Sequence, residues 1–302
     1  MLFSYHSHSG QFCDHAENTL EQMVQAAIAK NMHILALTEH VPRDRHEDLY
    51  PQEEKTPEQL FSTFGAYHVE AARLKKKYAA QITLLIGFET EWIRDESRLI
   101  VENLQDQYPF DVFVGSIHHA DSVPIDFSKE LFEEARDRAG GTEKHLFETY
   151  FDDQYEMLTA LQPPIVGHFD LPRLYSDEPD GSFRRWPTVW EKICRNLRFI
   201  TEYGGIVELN SSSLRKGMKE PYPGLEICRE HLRNGGRFTL SDDSHAVAHV
   251  AANYDRVFQF MKTAGVSTVH YLDIAKGAPT EGTTNVEVRS ISIHDLQVPS
   301  TS

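Results

Sequence analysis

The sequence predicts an α/β fold in which seven βα units close into a single barrel with a metal site at the C-terminal ends of its strands. Three observations predict it. Short apolar runs alternate with stretches whose apolar residues recur at helical spacing, and six of the seven runs end in His, Glu or Asp. No short-period repeat, low-complexity tract or Pro/Ser-rich linker divides the 302 residues. Such alternation implies a parallel sheet, and closing it gathers the strand-to-helix loops on one face. An open doubly wound sheet is the alternative; it would spread the same strand ends along a line.

The first run, Leu2-Phe3-Ser4-Tyr5, leads into His6-Ser7-His8, with Asp14-His15 shortly after. Alternate residues of an extended segment share a face, so His6 and His8 can reach one cation. Taken alone, the tripeptide is equally a tag remnant or a frayed end. Leu20, Met23, Val24, Ala27 and Ile28 then mark a helix, with Asn18 placed to cap it and Glu21 three residues on. Ile34-Leu35-Ala36-Leu37 is the second strand and delivers Glu39-His40. Thr56-Pro57 opens the next helix, whose apolar face is Leu60, Phe64, Tyr67, Ala71 and Leu74.

Strand three, Ile82 to Phe88, ends in Glu89, with Glu91 on the same face; a carboxylate there can bridge two cations. After a helix marked by Leu99, Ile100 and Leu104, Asp111 to Ser116 leads to His118-His119. Residues 120–141 break the rhythm and are expected to be an insertion over one end of the domain, either a solvated excursion or a substrate lid. A helix from Thr142 to Leu161 stops at Pro163-Pro164, and Ile165-Val166-Gly167 delivers His168. Trp190, Ile193, Leu197 and Ile200 line the next helix, and Ile206-Val207-Glu208-Leu209 leads to Asn210. A shorter helix precedes Phe238-Thr239-Leu240, which ends in Asp242-Asp243-Ser244-His245. A helix over about 250–263 and a possible last strand over 266–272 follow, with a variable polar tail from about 273. Residues 1–302 are therefore expected to form one domain.

Composition narrows the function. The net charge of −16 opposes nonspecific binding to a phosphate polymer, so no nucleic-acid partner is expected. The longest apolar run, Ile82 to Phe88, is far too short to span a bilayer, and no basic region with a long apolar stretch opens the chain. Cys13, Cys194 and Cys228 form neither a metal-finger spacing nor a disulfide framework. A cytoplasmic protein without a membrane partner is expected, and Cys13 is taken as incidental. The sequence assigns no oligomeric state. Of sixteen histidines, His33, His46, His68, His119, His145, His231, His249, His270 and His294 fall outside the strand-end pattern and are read as surface or core residues.

The residues that fit the pattern resemble the polymerase and histidinol phosphatase (PHP) superfamily, from His6 to His245. The motifs carrying the resemblance are His6-Ser7-His8, Asp14-His15, Thr38-Glu39-His40, Gly87-Phe88-Glu89, Gly115-Ser116-Ile117-His118, Gly167-His168 and Asp243-Ser244-His245. Thr38 to Pro42, Gly87 to Glu89, Gly115 to His118 and Gly167 to Asp170 are most similar to the monofunctional histidinol-phosphatases of histidine biosynthesis. The resemblance implies a distorted seven-unit barrel, a three-metal site, and hydrolysis of L-histidinol phosphate, a small phosphomonoester, to L-histidinol and phosphate. It implies that His6, His8, Glu89 and Asp243 surround one metal, that Glu89 bridges to a second held by His118 and His168, and that His15, His40 and His245 hold the third. Asp14, Glu39 and Asp242 adjoin ligands and are candidates to orient their imidazoles.

A mixed imidazole and carboxylate set suits zinc, iron or manganese, which the sequence does not rank. A metal-bound hydroxide held by Glu89, Asp243 and His168 would attack phosphorus directly, without a phosphoenzyme. Arg173, Arg215 and Arg43 lie on loops of the same face and are candidates to grip the phosphate. Two other readings stand beside this one: another PHP phosphoesterase or nuclease, which should show a basic groove, and a noncatalytic metal-binding barrel, which should have lost ligands.

Overall fold

Seven parallel strands carry the site in this computed structural model, which describes residues 1–51, 53–275 and 286–297. In chain order they begin with β1 (Phe3–Ser4), α1 (Leu20–Ala29), β2 (Ile34–Leu37), α2 (Pro57–Tyr78), β3 (Thr83–Ile86), α3 (Ser97–Gln107) and β4 (Val114–Gly115). A hairpin of β5 (His119–Ala120) and β6 (Val123–Pro124) precedes α4 (Lys129–Arg138) and α5 (Glu143–Leu161). Next come β7 (Ile165–Val166), α6 (Pro187–Tyr203), β8 (Ile206–Asn210), the single turn α7 (Ser212–Arg215), α8 (Leu225–Arg233), β9 (Arg237–Ser241) and α9 (Tyr254–Ala264). β10 (Thr268–Ile274) and β11 (Val286–Ser292) close the described chain.

The parallel strands form two sheets, β1-β2-β3 and β4-β7-β8-β9. Single parallel bridges join them at both seams, Glu89 to Val114 and Ser7 to Ser244. Backbone hydrogen bonds hold each seam: Val114 N–H donates to Phe88 at 2.9 Å, and His8 N–H donates to Ser244 at 2.8 Å. Helices cover the outside, so strands such as β2 and β8 are buried along their whole length, which the unbroken apolar run of β2 requires.

Local chemistry sets the element ends. Thr56 caps α2 in a reciprocal box with Gln59, and Pro57 occupies the first helical position, as the sequence predicts. The cap of α1 differs from expectation. Asn18 takes a left-handed φ of 68° and its side chain accepts from Val247 N–H, which leaves extended Thr19 to form the box with Gln22.

The C-terminal expectation also changes. Rather than joining the parallel set, β10 pairs antiparallel with β11, because both seams of the parallel set are already bridged. The tail thus contains a strand, and Gln297 beyond it returns to the N-terminus, where its N–H donates to the Met1 carbonyl at 3.1 Å. Residues 276–285 and 298–302 of the expected tail lie outside the described residues. Among the described residues, no helix is long and apolar enough to cross a membrane.

Candidate active site

Six of the parallel strands deliver one or more sequence-predicted groups just beyond their C-terminal ends. His6 and His8 follow β1, His40 follows β2, Glu89 follows β3, His118 follows β4, His168 follows β7, and Asp243 and His245 follow β9. His15 arrives on the loop before α1. Asp243 takes a left-handed φ of 47°, which Asp tolerates better than most residues.

Glu89 is the centre of the cluster and is 1% exposed. Its Oε1 lies 3.0 Å from His6 Nε2, 3.3 Å from His118 Nε2 and 2.9 Å from His168 Nε2. Its Oε2 lies 3.3 Å from His8 Nε2 and 2.9 Å from His40 Nδ1. Asp243 Oδ1 stands 3.7 Å from both His6 Nε2 and His8 Nε2. The His15 ring completes the group, 5.3 Å from that of His40 and 5.0 Å from that of His245. All nine predicted ligand positions therefore share one site.

The donor set fits divalent metal ions. Among the described residues, His6 Nε2, both ring nitrogens of His8 and His40, and Glu89 Oε2 are buried without an aligned hydrogen-bond partner, although they converge on one another. Buried polar atoms are rarely left so, and a shared cation satisfies them together. Overlapping subsets, among them His6-His8-Glu89, His6-His168-Asp243 and Cys13-His15-His40-His245, bring their ligating atoms within 4.8 Å of one another.

Electrostatics divides the cluster. Burial pushes the His6 imidazole down, but Glu89, Asp243 and Glu208 outweigh it and hold its pKa well above the usual value. His118 is raised likewise, burial being outweighed by Glu91 and Glu89. Burial also raises the Glu89 carboxyl, yet His6, His118 and His40 win and keep it well below its usual range. On the other side, burial and neighbouring imidazoles lower His15 to about 3 and depress His40 and His245, so these rings offer free lone pairs at neutral pH.

Two carboxylates behind the cluster fix ring orientations, and a third stands beside a ligand ring. Glu208, fully buried, lies 3.2 Å from His6 Nδ1 and accepts from His168 N–H at 2.7 Å. Glu91 sits 3.1 Å from the Nδ1 atoms of both His118 and His119. Glu39 accepts from Ser9 N–H at 2.9 Å and stands 3.7 Å from His8 Nδ1. Glu39 thus has the predicted neighbour. Asp14 pairs instead with Lys55, and Asp242 accepts from Ser4 and from Ala251 N–H, so neither orients a ligand ring.

Sequence reasoning passed over Glu208 as part of a strand; the signal available was a charge inside an otherwise apolar run. It also set aside His119, which is buried on Glu91, and Cys13, whose Sγ lies 3.3 Å from His15 Nε2.

The cluster opens into a cavity of about 540 Å³ whose lining includes Glu89, His118, His168, Arg215, Asp243 and His245. Arg215 lies on its wall and donates to the Asp243 carbonyl at 3.1 Å. Arg43 borders an adjoining cavity on the His15–His40 side, where it pairs with Glu53 and lies 3.6 Å from Glu91. Arg173 corrects the sequence expectation. It is 4% exposed, donates to Asp170 at 2.7 Å and to the Pro179 carbonyl at 2.8 Å, and borders a separate cavity with Asp180 and Glu220. The loop position was right for the face, but the side chain turns inward to the buried Asp170 carboxylate.

Comparison with known proteins identifies the family. The family model described as "PHP domain" matches residues 4–212. A Schizosaccharomyces pombe protein named "Probable histidinol-phosphatase" is 43% identical over 298 residues, 98% of this chain and 96% of that one. The Saccharomyces cerevisiae histidinol-phosphatase is 34% identical over 299 residues, 86% of this chain and 88% of that one. Among solved structures, a Lactococcus lactis histidinol phosphate phosphatase complexed with Zn, L-histidinol and phosphate shares the fold, with a TM-score of 0.67 and 21% identity over 87% of this chain and 94% of that one. The protein therefore belongs to the PHP domain family, in its histidinol-phosphatase branch.

Proposed function

We propose that this protein is a metal-dependent phosphomonoesterase that hydrolyses L-histidinol phosphate to L-histidinol and phosphate, as the names of its relatives indicate for them. The observation that carries the metal half of this reading is the convergence of five imidazoles on the buried Glu89 carboxylate at 2.9–3.3 Å. The site reads best as three divalent cations of zinc, iron or manganese type. His6, His8, Glu89 and Asp243 would hold the first, Glu89, His118 and His168 the second, and His15, His40 and His245 the third. The two bridged seams favour a closed seven-strand barrel in one domain, and the free cysteines suit a reducing compartment such as the cytoplasm.

Bound divalent cations would ionise water near neutral pH and offset charge on the phosphoryl oxygens. The chain's own residues do the rest. Glu208 and Glu91 hold ligand imidazoles in place, and Glu89 keeps two halves of the ligand set together. Arg215 presents a guanidinium to the cavity, where a phosphate oxygen can accept from it. Arg215→Ala is expected to lower kcat/KM roughly 10- to 100-fold, mainly through KM. Unchanged kinetics would remove Arg215 from phosphate binding.

The overall reading is tested by phosphate release from L-histidinol phosphate, with chelated enzyme and an oligonucleotide run in parallel. Rapid release confined to the monoester and abolished by chelation is expected. If the metal-loaded protein releases no phosphate, the substrate assignment is lost.

A further inference from the structure

The insertion supplies a side of the cavity that the metal cluster does not. His118 runs directly into the β5–β6 hairpin, and Ile125 N–H donates back to the His118 carbonyl at 2.9 Å. Ile125 is fully buried, so the next residue, Asp126, is held in a fixed place relative to a predicted ligand. Asp126 and Phe127 then line the cavity together with Glu89 and Asp243. Segment 120–141 is thus neither a detached excursion nor only a cover; part of it is cavity wall.

Among the described residues three carboxylates line this cavity: Glu89, Asp126 and Asp243. Imidazoles surround Glu89 and Asp243. Among the described residues Asp126 has neither a hydrogen-bond donor nor an ion-pair partner, and it is only partly buried. Beside it, Phe127 stacks on Tyr50 with ring centroids 5.3 Å apart and planes inclined by 13°, giving a flat aromatic surface. Arg215 and Lys216 also line the cavity, and neither pairs with Asp126. The cavity therefore combines a phosphate-attracting region, an aromatic surface and one unpaired anion, which suits a substrate carrying a phosphate, a flat ring and an ammonium group.

We propose that Asp126 is a specificity residue that binds the substrate's α-ammonium group. The inference rests on the histidinol phosphate reading and deepens it. An ammonium bound here replaces water with a charged partner, whereas an ester lacking the amine leaves the carboxylate unpaired in a partly enclosed site.

The test compares L-histidinol phosphate with its des-amino analogue, 3-(imidazol-4-yl)propyl phosphate, on the wild type and on Asp126→Asn. Metal content and circular dichroism establish that the variant is folded and loaded. The wild type should favour the amine-bearing ester by about tenfold or more in kcat/KM, and Asp126→Asn should remove most of that preference through KM. Inhibition by the product L-histidinol should weaken in parallel. A folded variant that keeps the preference overturns the proposal, as does a wild type that turns over both imidazole esters equally, and these results leave the phosphatase reading intact. Hydrolysis of phenyl phosphate but of neither imidazole ester overturns both.

Discussion

Glu89→Gln is expected to lower bound metal by at least one equivalent per chain and to reduce kcat/KM by roughly three orders of magnitude. The substitution preserves shape and removes only the charge. Five imidazoles approach the two Glu89 oxygens, and among the described residues no other side chain of the site is placed to link as many ligands. Gln offers one neutral oxygen and an amide that repels cations, which breaks any bridge between two ions.

The same carboxylate controls protons. Glu89 helps hold His6 and His118 above their ordinary pKa, which favours the protonated form of both rings in the metal-free protein. Ligation requires them neutral, and metal loading must therefore release protons and weaken as the pH falls. In Glu89→Gln both rings lose an anionic neighbour and proton release on loading should drop. Metal analysis and calorimetry in buffers of different ionisation enthalpy measure the two effects. A variant with full metal content and wild-type turnover would exclude the bridging role.

How much of this was legible in the sequence depended on the kind of constraint. Ligands at the ends of parallel strands are fixed by topology, so His40, Glu89, His118 and His168 could be placed without knowing any loop. Their separation along the chain did not matter, because neighbouring strands bring them together. Side-chain direction on loops follows different rules. Arg173 and Arg215 both sit beyond strands on the active face, yet buried Asp170 draws Arg173 away while Arg215 stays on the cavity wall.

Interior second-layer groups were harder still. Glu208 occupies a strand position that apolar patterning absorbs as one more buried residue, although burying an unpaired charge there would be costly. Its pairing with His6 depends on strands β1 and β8, which lie far apart in sequence. The role of Asp126 was illegible for a similar reason. Composition marks 120–141 as an insertion but does not say that its hairpin is tied to His118.

Glu208→Gln is expected to weaken metal binding about 10- to 100-fold, and the reason lies in the tautomer of His6. The native carboxylate accepts only. Its Oε1 takes His168 N–H at 2.7 Å and Asn210 Nδ2 at 2.6 Å, while Oε2 accepts from Ser241 Oγ and faces His6 Nδ1 at 3.2 Å. Once His6 gives up a proton to ligate, this arrangement keeps the remaining one on Nδ1 and leaves the Nε2 lone pair, on the Glu89 side, for the metal. In the variant, the Gln carbonyl can keep the two donors at the Oε1 position. Its amide N–H then faces His6 Nδ1 and competes with the longer 3.3 Å contact to the Oε1 position, which favours the tautomer protonated at Nε2, where the proton blocks ligation. The loss should fall mainly on the metal held by His6, with the His15–His40–His245 group retaining its ion. Metal stoichiometry after graded chelation, set against thermal stability of the metal-free protein, separates this effect from general destabilisation. A variant that melts earlier yet binds metal with unchanged affinity would reduce Glu208 to a packing role.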